Sequence, residues 1–152
     1  MIKTTWTPAE ALELMLAAKG GSNFLDVVFE VAMFSGPEES GHGDWIESVR
    51  SNDAQTKIIA TYLETNPRSS DKKREVTLFP NDWTTRLDIA IRYMRGSFSE
   101  LRAGIFTRGL NTGKCTALLM RGSEPILSNE HAATEALAMC AAMLSARIAG
   151  RI

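Results

Sequence analysis

The residues best suited to chemistry gather in one loop, where Glu38, Glu39, His42 and Asp44 stand close together. Carboxylates and an imidazole both offer lone pairs to a divalent cation. Metal ligands must be held rigidly, however, and SGPEESGHGD (35–44) is glycine-rich with no second histidine nearby, so no metal site is expected. The other histidine, His131, is expected in the first turn of the last helix as a capping or surface residue. Nucleophilic catalysis needs a serine or cysteine beside a histidine and an orienting acid. The chain has no G-x-S-x-G elbow, and Cys140 lies in an apolar stretch where a thiolate is destabilised. Cys115 and Cys140 show no metal spacing and read as reduced core residues, which suits a cytoplasmic protein.

A second group of residues points to anions. GLNTGK (109–114) has the glycines and lysine of a phosphate loop but not the G-x-x-x-x-G-K-[ST] spacing, and a strand is expected after it instead of a helix. Its plainest role is a hairpin turn. The backbone N–H groups of such a turn, flanked by Arg108 and Lys114, still form a site for a phosphate. The candidate ligand-binding set is Arg86, Arg108, Asn111, Thr112, Lys114 and Arg121, with a nucleotide as the anionic ligand and no cofactor or catalytic residue assigned.

The net charge of −1 conceals a split. Residues 1–66 hold ten acids and four bases, and residues 83–121 hold seven bases and two acids, as expected of an anion-binding half or of solvated arginines. Duplex DNA binding is not expected, because the chain as a whole is slightly acidic and has no basic helix or zinc finger. With 152 residues, 44% of them hydrophobic and 23% charged, the chain reads as one soluble domain with a real core. The start of the chain does not read as a signal peptide.

These residues must be positioned by an α+β fold. Thr7-Pro8-Ala9-Glu10 starts a helix over 8–18, with a capping threonine, proline at the first position and a closing glutamate. Residues 23–34 alternate like a strand at Val27, Phe29, Val31 and Met33, yet Leu25, Val28, Phe29, Ala32 and Met33 also make a helical face with Asp26 and Glu30 opposite. Ile58, Ile59, Tyr62 and Leu63 suggest a helix over 53–64, and a short strand is expected at 76–79. A helix over 83–95 follows, with Trp83, Leu87, Ile91 and Met94 on one face. Strands at 101–107 and 115–120 form an antiparallel hairpin. The last helix is expected over 129–147, capped by Ser128. It is apolar nearly all round, so it is expected to pack on more than one side, against the sheet and another helix or a partner subunit.

Leu25-Asp26-Val27-Val28, the opener Pro80-Asn81-Asp82-Trp83-Thr84-Thr85, the hairpin and the closing Thr134-Glu135-Ala136-Leu137-Ala138-Met139-Cys140-Ala141-Ala142-Met143-Leu144 resemble the phage ABA sandwich domain family of small phage-encoded proteins. The resemblance covers 22–34 and 80–147 and implies helix over 23–34, helices flanking a small antiparallel sheet, and a phage or prophage origin. It makes 35–79 an insertion, expected to contain mobile loops, and carries no catalytic residues. The expected function is that of a non-catalytic accessory protein in a bacterial host cell, an oligomer or a binder of a host protein, in host interaction or anti-defence. The alternatives are a nucleotide sponge using the arginines of 86–121 and a hydrolase using His42 or His131.

Overall fold

The computed structural model describes residues 2–34, 38–39, 45–63, 73–97, 101–103, 107–108, 114–126, 131–150 and 152. It is an α+β fold of four helices and small antiparallel sheets.

Helix α1 spans Pro8–Ala17 and starts as its residue types dictate: Thr7 Oγ1 accepts from the Glu10 N–H at 3.2 Å, and the Glu10 carboxylate accepts from the Thr7 N–H at 3.0 Å. Helix α2 spans Asn23–Phe34, so the strand alternative is excluded. Ser22 Oγ accepts from the Leu25 N–H at 3.1 Å at its start.

The expected helix over 53–64 is absent. Strands β1 (Glu38–Glu39), β2 (Trp45–Ser51), β3 (Ile58–Leu63) and β4 (Lys73–Leu78) form a four-stranded antiparallel sheet in chain order. The local reason lies at Asn52. Its side-chain oxygen accepts from the N–H groups of Thr56 (2.8 Å) and Lys57 (3.0 Å), and Gln55 sits at φ 58°, so the chain turns back into a hairpin. IIATYL, with its β-branched and aromatic residues, then suits the pleat. Of the short strand expected at 76–79, residues 76–78 are part of β4, which also takes in 73–75, where a loop over 66–75 was expected; Glu38 and Glu39 of the expected loop at 35–44 form β1, and residues 40–44 and 64–72 lie outside the described residues.

Helix α3 spans Leu87–Ser97 and starts later than the expected 83. Residues 83–85 form a turn in which the Asp82 carbonyl accepts from the Thr85 and Arg86 N–H groups. Trp83 is thus not on a helical face. It is buried against Phe29 and Tyr93, with ring centroids 5.5 and 4.5 Å away.

The expected hairpin is present, in two stretches. Strand β5 (Leu101–Ala103) pairs with β8 (Leu119–Arg121), and β6 (Thr107–Arg108) with β7 (Cys115–Thr116). A third chain segment completes both ladders: β9 (Glu124–Ile126) beside β8, and β10 (His131–Ala132) beside β7. The two-residue turn from β8 to β9 uses Gly122 at φ 63°, a conformation that side chains disfavour.

Helix α4 spans Glu135–Ile148, not 129–147. Thr134, not Ser128, is its cap, accepting from the Leu137 N–H at 3.2 Å, while the preceding His131 and Ala132 pair with β7. From Ala136 to Leu144 every residue of α4 is buried. Its own chain covers it: α1, α2 and α3 pack on it, and so do β7 and β10. The expectation of packing on several sides holds, and no partner subunit is needed to cover the residues from Ala136 to Leu144. Alanines at 136, 138, 141, 142 and 146 keep the surface of α4 low, and its contact with α1 is the most extensive between helices. Helix α2 lies across β2 and β3 and touches both α1 and α4. Among the described residues no helix is long and apolar enough to cross a membrane.

Gly21, in the link from α1 to α2, passes so close to the Thr84 backbone that an added Cβ would collide with its carbonyl. Gly21→Ala is expected to cost about 1–3 kcal/mol, the usual penalty for forcing a methyl group into packed atoms. Gly20→Ala meets nothing within 4 Å and is expected to change stability by under about 0.5 kcal/mol. Urea unfolding compares the two, and equal midpoints would contradict the tight approach at Gly21.

Candidate functional site

The basic residues singled out in the sequence fall on different elements. Arg108 in β6 pairs with Cys115, so its backbone stands beside Lys114 at one end of the hairpin. Arg121 ends β8 opposite Leu101, at the other end. Six residues, 115–120, lie between Lys114 and Arg121 along strands β7 and β8, a span on the order of 20 Å. Arg86 stands before α3 and binds Asp88, with Nη2 to Oδ2 at 2.8 Å and Nε to Oδ1 at 3.3 Å. The structure therefore brings Arg108 and Lys114 together along the backbone and leaves Arg121 apart. Asn111 and Thr112 lie outside the described residues.

His131 is not in a helical turn. It sits exposed on β10, its Nδ1 2.9 Å from Thr116 Oγ1 on the paired strand. His42 and Asp44 lie outside the described residues, and Glu38 and Glu39 form β1. Both cysteines are free and buried, as their apolar settings suggested. Burial, reinforced by the nearby Asp26 charge, holds the Cys140 thiol well above its ordinary pKa, so it is no nucleophile.

Two carboxyl groups that sequence reading left on a polar face are instead the centre of a network. Asp26 and Glu30 lie one turn apart on α2 and face the turn at 81–85. Asp26 is 3% exposed, and its Oδ1 accepts from the Thr84 N–H and hydroxyl, both at 2.7 Å. Thr84 Oγ1 in turn accepts from the Ser22 N–H at 3.1 Å. Glu30 Oε1 accepts from the Trp83 indole N–H at 2.6 Å, the Asn81 N–H at 2.8 Å and Asn81 Nδ2 at 3.4 Å. Cys140 of α4 donates to the Trp83 carbonyl at 3.4 Å, which ties the same turn to a second helix.

Burial raises the pKa of both carboxyl groups above the ordinary carboxylate value, against the pull of the hydrogen bonds from Thr84 and from Asn81 and Trp83. Neighbouring acids add to the rise, Asp82 for Asp26 and Asp26 for Glu30. A raised carboxyl pKa is what a general acid needs. Here the bonded oxygens are occupied by the 81–84 segment, and Asp26 is closed to solvent, so the pair fastens the turn to α2. The signal was in the sequence: two acids four residues apart on an otherwise apolar helix, and a Pro-led turn whose N–H groups need acceptors.

A further exposed surface lies on β4. Among the described residues it is an edge strand, and five of its six residues are exposed, with Val76 half-buried. Leu78 is 43% exposed and Phe79, just beyond it, 78% exposed, with Lys57 Nζ 4.9 Å from the Phe79 ring centroid. Register places Arg74, Val76 and Leu78 opposite Tyr62, Ala60 and Ile58, so the buried row Ile58–Ala60 of β3 continues outward to the open edge.

The sign of the pH effect follows from the raised pKa values. The stabilising contribution of Asp26 and Glu30 is complete below the ordinary carboxylate pKa and is lost as pH rises through the raised folded values. As pH falls from neutral towards the ordinary carboxylate pKa, the wild type is expected to gain stability relative to an Asp26→Asn, Glu30→Gln variant, which keeps the acceptors without the titration. Thermal midpoints across that range measure it, and parallel profiles would contradict it. Glu30→Ala, which strips the acceptor from the buried indole and from Asn81, is expected to cost about 2–3 kcal/mol.

No family model matches the chain, and neither a curated protein nor a solved structure is significantly similar to it.

Proposed function

We propose that this chain is a non-catalytic binding protein, a phage or prophage accessory factor that acts by occupying a host protein, and that the β4 edge is the surface it offers. The observation that supports the reading is the combination at β4: an edge strand, open on both faces, ending in the exposed Leu78 and Phe79. A sheet edge presents backbone N–H and C=O groups that take up an added strand, and alternate side chains supply selectivity. Large apolar side chains grouped at such an edge favour a polypeptide over a small anion as its ligand. The origin in this reading derives from the residues that resemble the phage ABA sandwich domain, and the host partner from a sequence that carries no complete catalytic or metal-binding motif.

The test is capture from bacterial lysate by the wild type and by a Leu78→Lys, Phe79→Glu double variant. Both side chains are exposed, so folding stability is expected to change by no more than about 1 kcal/mol. A specific partner held by the wild type is expected to fall about tenfold or more with the variant. Equal capture by both proteins would overturn the reading.

A further inference from the structure

We propose that a groove beside α1 binds a small organic cation, an ammonium group carried on an aromatic body. The groove is separate from β4, and the inference does not rest on the reading of that edge. Its walls come from four parts of the chain: the segment before α1, α1 itself, the start of α2 and the turn between β2 and β3. Its volume, about 670 Å³, is that of a small-molecule site. Trp6 and Phe24 line it, with ring centroids 5.9 Å apart and planes at 78°, so the two rings stand nearly at right angles. Phe24 is 38% exposed, one of the large apolar side chains left open among the described residues. Leu14 and Ala17 add an aliphatic wall. They share with Glu10 and Glu13 the three- and four-residue spacing that puts all four on one face of α1.

The charges of the groove select the sign of the ligand. Lys3, Glu10 and Glu13 line it. Lys3 and Glu10 cancel, because Lys3 Nζ donates to Glu10 Oε1 at 2.9 Å, and the other oxygen of Glu10 accepts from the Thr7 N–H. The segment that carries Lys3 is tied down, since its carbonyl accepts from Gln55 Nε2 at 3.1 Å and the Thr4 carbonyl accepts from the Ser51 N–H at 2.8 Å. Glu13 is exposed, and its carboxylate has no ion-pair partner among the described residues. It leaves the groove with one net negative charge beside apolar walls. An aromatic body packs against Trp6, Phe24 and Leu14, and its ammonium pairs with Glu13. Indole is also the side-chain ring that attracts a cation most strongly. The same carboxylate repels an anion.

Titration of the isotope-labelled full chain, followed by two-dimensional NMR, tests the site with three probes of similar shape: phenethylammonium, the neutral phenethyl alcohol and the anionic phenylacetate. The indole N–H signal of Trp6 is expected to shift saturably with phenethylammonium, while that of Trp83 stays in place. Affinity is expected to be about tenfold above that for the alcohol, with no saturable shift from phenylacetate. Glu13→Gln is expected to weaken the cation about threefold or more and to leave the alcohol unchanged. Ala17→Phe, which fills the groove, is expected to abolish binding of both. Positions 13 and 17 are exposed, so both variants are expected to keep the wild-type thermal midpoint. Equal affinities for cation and alcohol, saturable shifts confined to residues away from Trp6, Phe24 and Leu14, or full binding by Glu13→Gln or Ala17→Phe would each overturn the proposal. So would the lack of a saturable shift with any probe, which leaves the groove to a larger partner or to none. The β4 reading is tested by its own substitutions and stands or falls apart from these results.

Discussion

Two carboxylates on one apolar helix set the arrangement of the rest. Asp26 and Glu30 of α2 receive the N–H, hydroxyl and indole donors of residues 81–84, a segment with no ladder or helix of its own to satisfy them. The cost of desolvating the two acids is visible in their raised pKa values. Leaving the turn without acceptors would cost more, because Trp83 and Thr84 are buried. The connection joins distant parts of the chain: Ser22 and Gly21 close on Thr84 from one side, and Cys140 reaches the Trp83 carbonyl from another. The start of α3 and its approach to α4 follow from where that turn is held.

Around this fastening the helices pack by size. The alanine-rich α4 makes its most extensive helix contact with α1, and its larger side chains Leu137, Met139, Met143 and Leu144 are fully buried in the core. A helix with so little polar surface needs neighbours on nearly every side, and the fold supplies them from one chain. The four-stranded sheet is held differently. Helix α2 packs on β2 and β3, and the described sheet ends in β4, five of whose six residues are exposed. The most exposed apolar residue of the described chain, Phe79, stands there for that reason, at the end of the strand and before Pro80 stops it.

The chemistry-bearing residues divide along the same line. Those with perturbed acidity are buried and committed to holding the fold, and Cys140 is silenced by its depth. Those at the surface, Arg86 and His131, have near neighbours that occupy them, Asp88 and Thr116. Among the described residues, the large apolar side chains left exposed are Ile2, Phe24, Leu78, Phe79 and Ile148, two of them at the end of β4.

Local residue chemistry determined a good part of this. The Thr7–Glu10 box, the proline at the start of α1 and the hairpin of strands near 101–107 and 115–120 were legible, because caps and turns act over a few residues, whereas the period of 23–34 fitted strand and helix alike. The cap of the last helix was misread as Ser128, because the pairing of His131 and Ala132 with β7, which moves the start of α4 to Thr134, is a contact with another part of the chain. A second error occurred at 58–63, where a spacing that fits a helix was overridden by the Asn52 turn and by strands available on both sides. The role of Asp26 and Glu30 was not readable from α2 alone, since a carboxylate on a helix is ordinarily solvated and its partners here lie more than fifty residues away. The same holds for β4: only its second half, from Val76, read as strand, while residues 73–75 read as loop, and its place at the end of the described sheet depends on pairing with β3, which is a property of the packed chain and of no segment within it.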